Sequence, residues 1–213
     1  KFDRSGVLLD GQHRLQAIID SGTTVSMLVA EGVDDGSFDT IDTGKRRTAS
    51  DALAVMGVKD YATKAAAVRL ILILSEPAPT FREALSNPQI REWVDAFGEE
   101  LDQFVSIARA AYHSQLVDKS AVVGLSYMMA QKDKRLVETF WQRVSDGAGL
   151  VQGHPILALR KRLMDHRIGT AKLPRQTVVA LIIKAWNKTR RNEMLNPRAG
   201  LAWRADEPFP KII

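Results

Sequence analysis

The chain has 213 residues, 45% of them hydrophobic and 26% charged, with a formal net charge of +5. That is enough apolar content to bury a sizeable core as one large domain or two modest ones, while the longest aliphatic run, Leu70 to Leu74, falls far short of the ~20 residues of a membrane span. The absence of cysteine excludes disulfides, thiolate catalysis and cysteine-ligated zinc, and makes a reducing cytoplasm the expected location.

The chain opens at Lys1 with neither a methionine nor a secretory signal. It runs straight into a strand-like segment, so a natural N-terminal portion of the first domain is expected to lie outside this sequence. Val7-Leu8-Leu9, bounded by Gly6 and Asp10-Gly11, reads as a buried strand. Gln12 to Asp20 carries a helical apolar stripe (Leu15, Ile18, Ile19) closed by Ser21-Gly22. Val25 to Ala30 reads as a second strand and Phe38 to Ile41 as a third. Strand, helix and strand within forty residues argue for an α/β unit.

From Thr48 onward the pattern is helical. Thr48-Ala49-Ser50-Asp51 is a loose capping box ahead of Ala52 to Met56. Asp60 to Leu74 is apolar on nearly every side in its second half and hence a buried helix. Asn87-Pro88 launches a helix to Phe97, and further helices are expected over Glu99–His113, Lys119–Gln131 and Lys134–Ser145. A break at Asp146-Gly147-Ala148-Gly149 follows. Pro155–Arg167 and Pro174–Arg191 each begin near a proline, and the residues after Asn196 are too rich in proline for a helix. The expected class is α+β: a small α/β portion over residues 1–57, incomplete at its N-terminus, a larger all-helical domain over 58–195, and an extended tail over 196–213.

Charge is distributed unevenly. Glu76 to Asp118 holds eight acids against three basic residues, a local net of −5. His154 to Arg191 holds ten Lys/Arg against Asp165 alone, a local net of +9. Such a segment suits a polyanion partner, although a solvated basic helix pair has the same composition.

Asp10-Gly11-Gln12-His13-Arg14 sits where a strand is expected to end and a helix to begin. The first-turn N–H groups and the positive end of the helix dipole make an anion site there. Gly11 permits close backbone approach, Arg14 offers a forked donor to phosphate, and Gln12 and His13 add donors beside it. Asp10 is the one acid, placed to hold magnesium or to accept a proton. Read from spacing alone, an Asp-Gly turn with polar residues in an exposed first turn is the commoner explanation.

A strand, Asp-Gly-Gln-His-Arg and then Leu-x-Ala-Ile together resemble the signature segment of the ParB N-terminal domain and sulfiredoxin superfamily, in its DGQHR branch. The partition proteins read Gly-Glu-Arg-Arg there, facing a nucleoside triphosphate, and sulfiredoxin reads Gly-Gly-Cys-His-Arg, facing ATP. Gly11, His13 and Arg14 match the sulfiredoxin form, and Gly11 and Arg14 the partition form. Gln12 replaces the sulfiredoxin cysteine, which rules out that reductase chemistry. It also replaces the partition-protein glutamate, and an amide cannot serve as a base. The resemblance covers roughly the first fifty residues.

A second basic turn, Gly44-Lys45-Arg46-Arg47-Thr48, is not a P-loop, because Asp39 stands where that motif wants glycine and Arg46 where it wants Ser/Thr. It is chemically suited to phosphate. In the helix pair over 154–191, Arg160, Lys161, Arg162 and Arg167 crowd the first helix beside an Ile156, Leu159, Leu163 stripe. Lys172 and Arg175 lie in and after the turn. Lys184, Lys188 and Arg191 share a face of the second helix, whose core side carries Leu181, Ile182, Ala185 and Trp186 with Val178 one turn earlier. Two helices and a short turn resemble a helix–turn–helix only in outline. Trp93, Trp141 and Trp186 fall on apolar stripes, and Trp203 is expected to anchor the tail. The four histidines lack metal-ligand spacing.

These readings lead to a ParB-like protein that binds a nucleoside triphosphate with magnesium at the first turn and DNA through the basic helices. It has no membrane partner, and a homodimer is admitted. The alternatives are a DNA-binding regulator with a vestigial nucleotide site, and a metal-dependent nuclease or ATPase using Asp10.

Overall fold

A computed structural model describes residues 1–34, 48–81, 86–196 and 200–213. Among these residues the architecture is nearly all helical, which corrects the α+β expectation. Seven α-helices follow in order: α1 (Gln12–Ser21), α2 (Ala49–Val55), α3 (Tyr61–Ser75), α4 (Asn87–Ala111), α5 (Lys119–Asp146), α6 (Pro155–Arg167) and α7 (Arg175–Arg190), with a 3₁₀ turn at Tyr112–Ser114. Among the described residues β-pairing is confined to two isolated bridges, Phe2 with Leu8 and Asp3 with Val33.

Among the described residues the expected strands over 7–9 and 25–30 find no extended partner. Val7–Leu9 folds back on Phe2 through a tight turn in which the Asp3 carboxylate accepts from the N–H groups of Ser5 and Val7. Val25–Val29 makes no ladder, and Leu28 is 99% exposed. An apolar run becomes a strand only when a neighbouring chain satisfies its backbone. Here the recorded pairing stops at Phe2 N–H to the Ala30 carbonyl and Val33 N–H to the Phe2 carbonyl. The Phe38–Ile41 expectation lies outside the described residues.

Helices α2 to α7 share one core. The Thr48 hydroxyl accepts from Asp51 N–H while the Asp51 carboxylate accepts from Thr48 N–H, so the expected capping box starts α2. The neighbouring Ala49 N–H donates to Asn87 Oδ1, joining α2 to the start of α4. Ser86 and Gln89 form a second box, with Pro88 in the first turn of α4. The two helices expected over 88–97 and 99–113 are one, because α4 runs unbroken through Gly98. Helix α3 is buried as expected, and its Lys64 is satisfied by Asp102 of α4 at 2.8 Å.

Helix α5 is the central element and touches α3, α4, α6 and α7. Its Gly124 lies against the Ala67 carbonyl of α3, leaving no room for a side chain. At Asp133 the backbone leaves helical geometry (φ −156°, ψ 89°), and the Asp133 carboxylate accepts from Leu136 N–H. That is an N-cap for a second helical stretch. The kink falls between the two helices expected on either side of it.

Helices α6 and α7 form a hairpin whose apolar stripes are those expected. Ile156, Leu159, Leu163, Leu181, Ile182, Ala185 and Trp186 are all buried. Trp141 is buried in the same core and Trp93 packs against it. The C-terminal segment is extended and lies back on α7. Trp203 is 8% exposed, meets Phe209 edge-on at 5.5 Å and donates from Nε1 to the Pro208 carbonyl, so it does anchor the tail. No helix among the described residues is long and apolar enough to cross a membrane.

Candidate phosphate and nucleic-acid surfaces

The Asp-Gly-Gln-His-Arg turn keeps the expected local geometry without the sheet. Gly11 is the N-cap of α1 with φ 106°, a conformation that L side chains rarely adopt. No side chain caps α1, and Gln12, His13 and Arg14 are all exposed. Asp10 differs from its neighbours. Its side chain is mostly covered, and its carboxylate lies 3.7 Å from Lys1 Nζ. Among the described residues no group of three His, Asp or Glu side chains could hold a metal ion. Gly44, Lys45, Arg46 and Arg47 lie outside the described residues. The Thr48 hydroxyl is engaged in the α2 cap, so its role there is structural.

The ten basic residues of 154–191 separate into different environments. Arg160 points inward and donates to the Val144 carbonyl near the end of α5. Arg162 is half-buried, with its Nε enclosed. On the tail-facing side of α7, Lys184 donates to the Ala202 carbonyl and to Glu207, each at 2.7 Å. Lys188 pairs with Glu193 at 3.0 Å, and Arg191 lies 3.6 Å from the same carboxylate. These ion pairs hold the Glu193 and Glu207 carboxyls below the usual range, with the hydrogen bonds from Lys188 and Lys184 the largest cause. The face formed by Lys184, Lys188 and Arg191 is therefore met by acids of the chain's own C-terminal segment. Asn187 adds to that contact, donating to the Lys211 carbonyl and accepting from Ile213 N–H.

The cations left outward lie elsewhere. Lys161, Arg167, Lys172 and Arg175 are exposed. Arg167 reaches Gln115, and with Arg175 and His166 it lines a groove of about 380 Å³ between residues 115–121 and the hairpin. Helix α7 begins there after Pro174 with no side-chain cap. His166 is structural, since its Nδ1 accepts from Leu173 N–H and closes the turn.

A further group was not among the sequence candidates. Lys132, Lys134 and Arg135 flank the Asp133 kink and are exposed. Arg190 reaches them from α7, its Nη2 3.4 Å from the Lys132 carbonyl. The run Gln131-Lys132-Asp133-Lys134-Arg135 was the available signal. Joining it to Arg190 required the fold.

Comparison with known protein families, with curated proteins and with solved structures finds no match.

Proposed function

We propose that this is a ParB-like, nucleic-acid-associated protein whose helical part binds duplex DNA mainly through its phosphates. The observation carrying this reading is the cluster of Arg167, Lys172 and Arg175 around the uncapped start of α7, with Lys161 exposed on α6. Uncapped N–H groups and forked guanidinium donors both favour phosphate oxygens. The test is duplex binding by fluorescence anisotropy over a salt series, for wild type and the Lys161, Arg167, Lys172, Arg175→Ala variant. Four lost phosphate contacts reduce the slope of log affinity against log salt by about 3.6. An unchanged slope and affinity refutes the assignment of these residues.

A second ligand is favoured by one observation at the other end of the chain. Gln12, His13 and Arg14 stand exposed at the open N-terminus of α1, and the motif resembles that superfamily's triphosphate-facing segment. The reading is that this turn holds a nucleoside triphosphate with magnesium. Calorimetric titration of the four ribonucleoside triphosphates into wild type and Arg14→Ala tests it. Loss of charge-assisted bonds lowers affinity by about one to two powers of ten. Equal binding to both proteins, or binding to neither, removes the site.

A further inference from the structure

We infer that the α5 kink is a second phosphate-contacting anchor for the same duplex, so that the nucleic-acid footprint spans both ends of α7. The inference rests on the duplex-binding reading above but names a surface outside the basic helix pair.

The geometry at the kink gathers cations from two distant parts of the sequence. Cα atoms of residues 132 to 135 span at most about 11 Å, and three of those four residues are exposed bases. Arg190 joins them at the end of α7 by docking on the Lys132 carbonyl. Two acids nearby are already engaged. Asp133 caps the second stretch of α5 through Leu136 N–H, and Glu193 pairs with Lys188 and Arg191. Glu138 is exposed one turn further on. No ion pair ties up Lys132, Lys134 or Arg135 among the described residues, so their charge is directed to solvent.

Spacing identifies the class of partner. Arg175 and Arg190 are fifteen residues apart on one helix, which places the two clusters about 22 Å apart at 1.5 Å per residue. That distance exceeds the reach of a mononucleotide or a single phosphate. A duplex carries phosphates on both sides of a groove about 12 Å wide on the major side, so it offers anions separated on the scale of the two clusters.

The test compares four proteins on a 20-base-pair duplex by anisotropy between 50 and 200 mM salt. They are wild type, Lys132/Lys134/Arg135→Ala, the hairpin variant above, and a charge control, Arg4/Lys59→Ala. Circular dichroism melts establish that each is folded. Three lost phosphate contacts lower the salt slope by about 2.7, so the fall in affinity across that range becomes about 40-fold shallower than for wild type. The hairpin variant loses its own share independently. If the kink variant keeps the wild-type slope while the hairpin variant does not, the kink is excluded and the duplex reading stands. If the charge control changes the slope as much per charge removed as the kink variant does, net charge alone is responsible and the inference falls. If wild type binds no duplex, both proposals fall together.

Discussion

His154 ties a titration to the start of a core helix. It is the N-cap of α6, and its Nδ1 accepts from Ile156 N–H at 3.1 Å. Ile156, Leu159 and Leu163, which follow, are fully buried. Burial, helped by the Arg143 cation, lowers the imidazole pKa from its ordinary value of 6.5. The direction is consistent with the geometry, because an imidazolium carries a proton on both nitrogens and Nδ1 can no longer accept. Since the folded pKa is the lower one, the unfolded chain binds more protons between the two values. Stability is therefore level above about pH 6.5 and falls as pH drops below it. Loss of an N-cap costs about 1 kcal/mol, which for a chain of this length moves Tm by about 2–4 °C. The matched variant is His154→Asn, which keeps a capping oxygen and removes the titration. Melts at pH 7.5 should nearly coincide, and at pH 5.5 wild type should have lost those few degrees relative to the variant. Parallel pH profiles for the two proteins would refute this account of the cap.

Two glycine substitutions should differ in sign. A Cβ at Gly124 lies 2.9 Å from the Ala67 carbonyl of a neighbouring helix, whereas one at Gly98 meets only the Val94 side chain, at 3.1 Å. Both gain about 1 kcal/mol of helix propensity, but Gly124→Ala also meets overpacking of about 1–3 kcal/mol, so chemical denaturation should show Gly98→Ala the more stable. Trp203→Ala removes the tail's buried anchor, at a cost of about 3–5 kcal/mol, and limited proteolysis should then cut the C-terminal segment before the helical body.

Where structure follows from neighbours in sequence, it was readable. Proline in the first turn and apolar residues three and four apart located α6 and α7 within a residue or so and named their buried faces. Asp133 between two helical stretches is a local signal as well, since its carboxylate caps the second. Three other features depend on remote partners. Val25–Ala30 has the composition of a strand, yet among the described residues only Phe2 pairs with it, at Ala30. Gly98 looked like a break, but it sits on the buried face of α4 and the helix continues through it. Lys184 and Lys188 have the spacing of a phosphate-binding face; Glu193, just past the end of α7, meets Lys188, and only the returning tail brings Glu207 to Lys184.

That tail contact gives the two lysines a testable second role. Lys184 and Lys188 lie on α7 between Arg175 and Arg190, which end the hairpin and kink clusters on that helix, and their charge is matched by Glu207 and Glu193. A duplex docked along α7 would have to compete with these carboxylates for both lysines. Glu193→Gln together with Glu207→Gln leaves the tail's apolar anchor in place while removing the competing charge. If the duplex lies along α7, affinity should rise and the salt slope steepen by up to about 1.8, the value for two further phosphates. Acid should act in the same direction on the pairing itself. Both carboxyl pKa values are lowered from 4.5, so the pairs contribute fully above that value and are lost as pH falls through the lower folded-state values beneath it. Anisotropy titrations of the double variant at neutral pH decide the matter. A slope equal to that of wild type would mean that the duplex does not run over this face, confining contact to the ends of the helix.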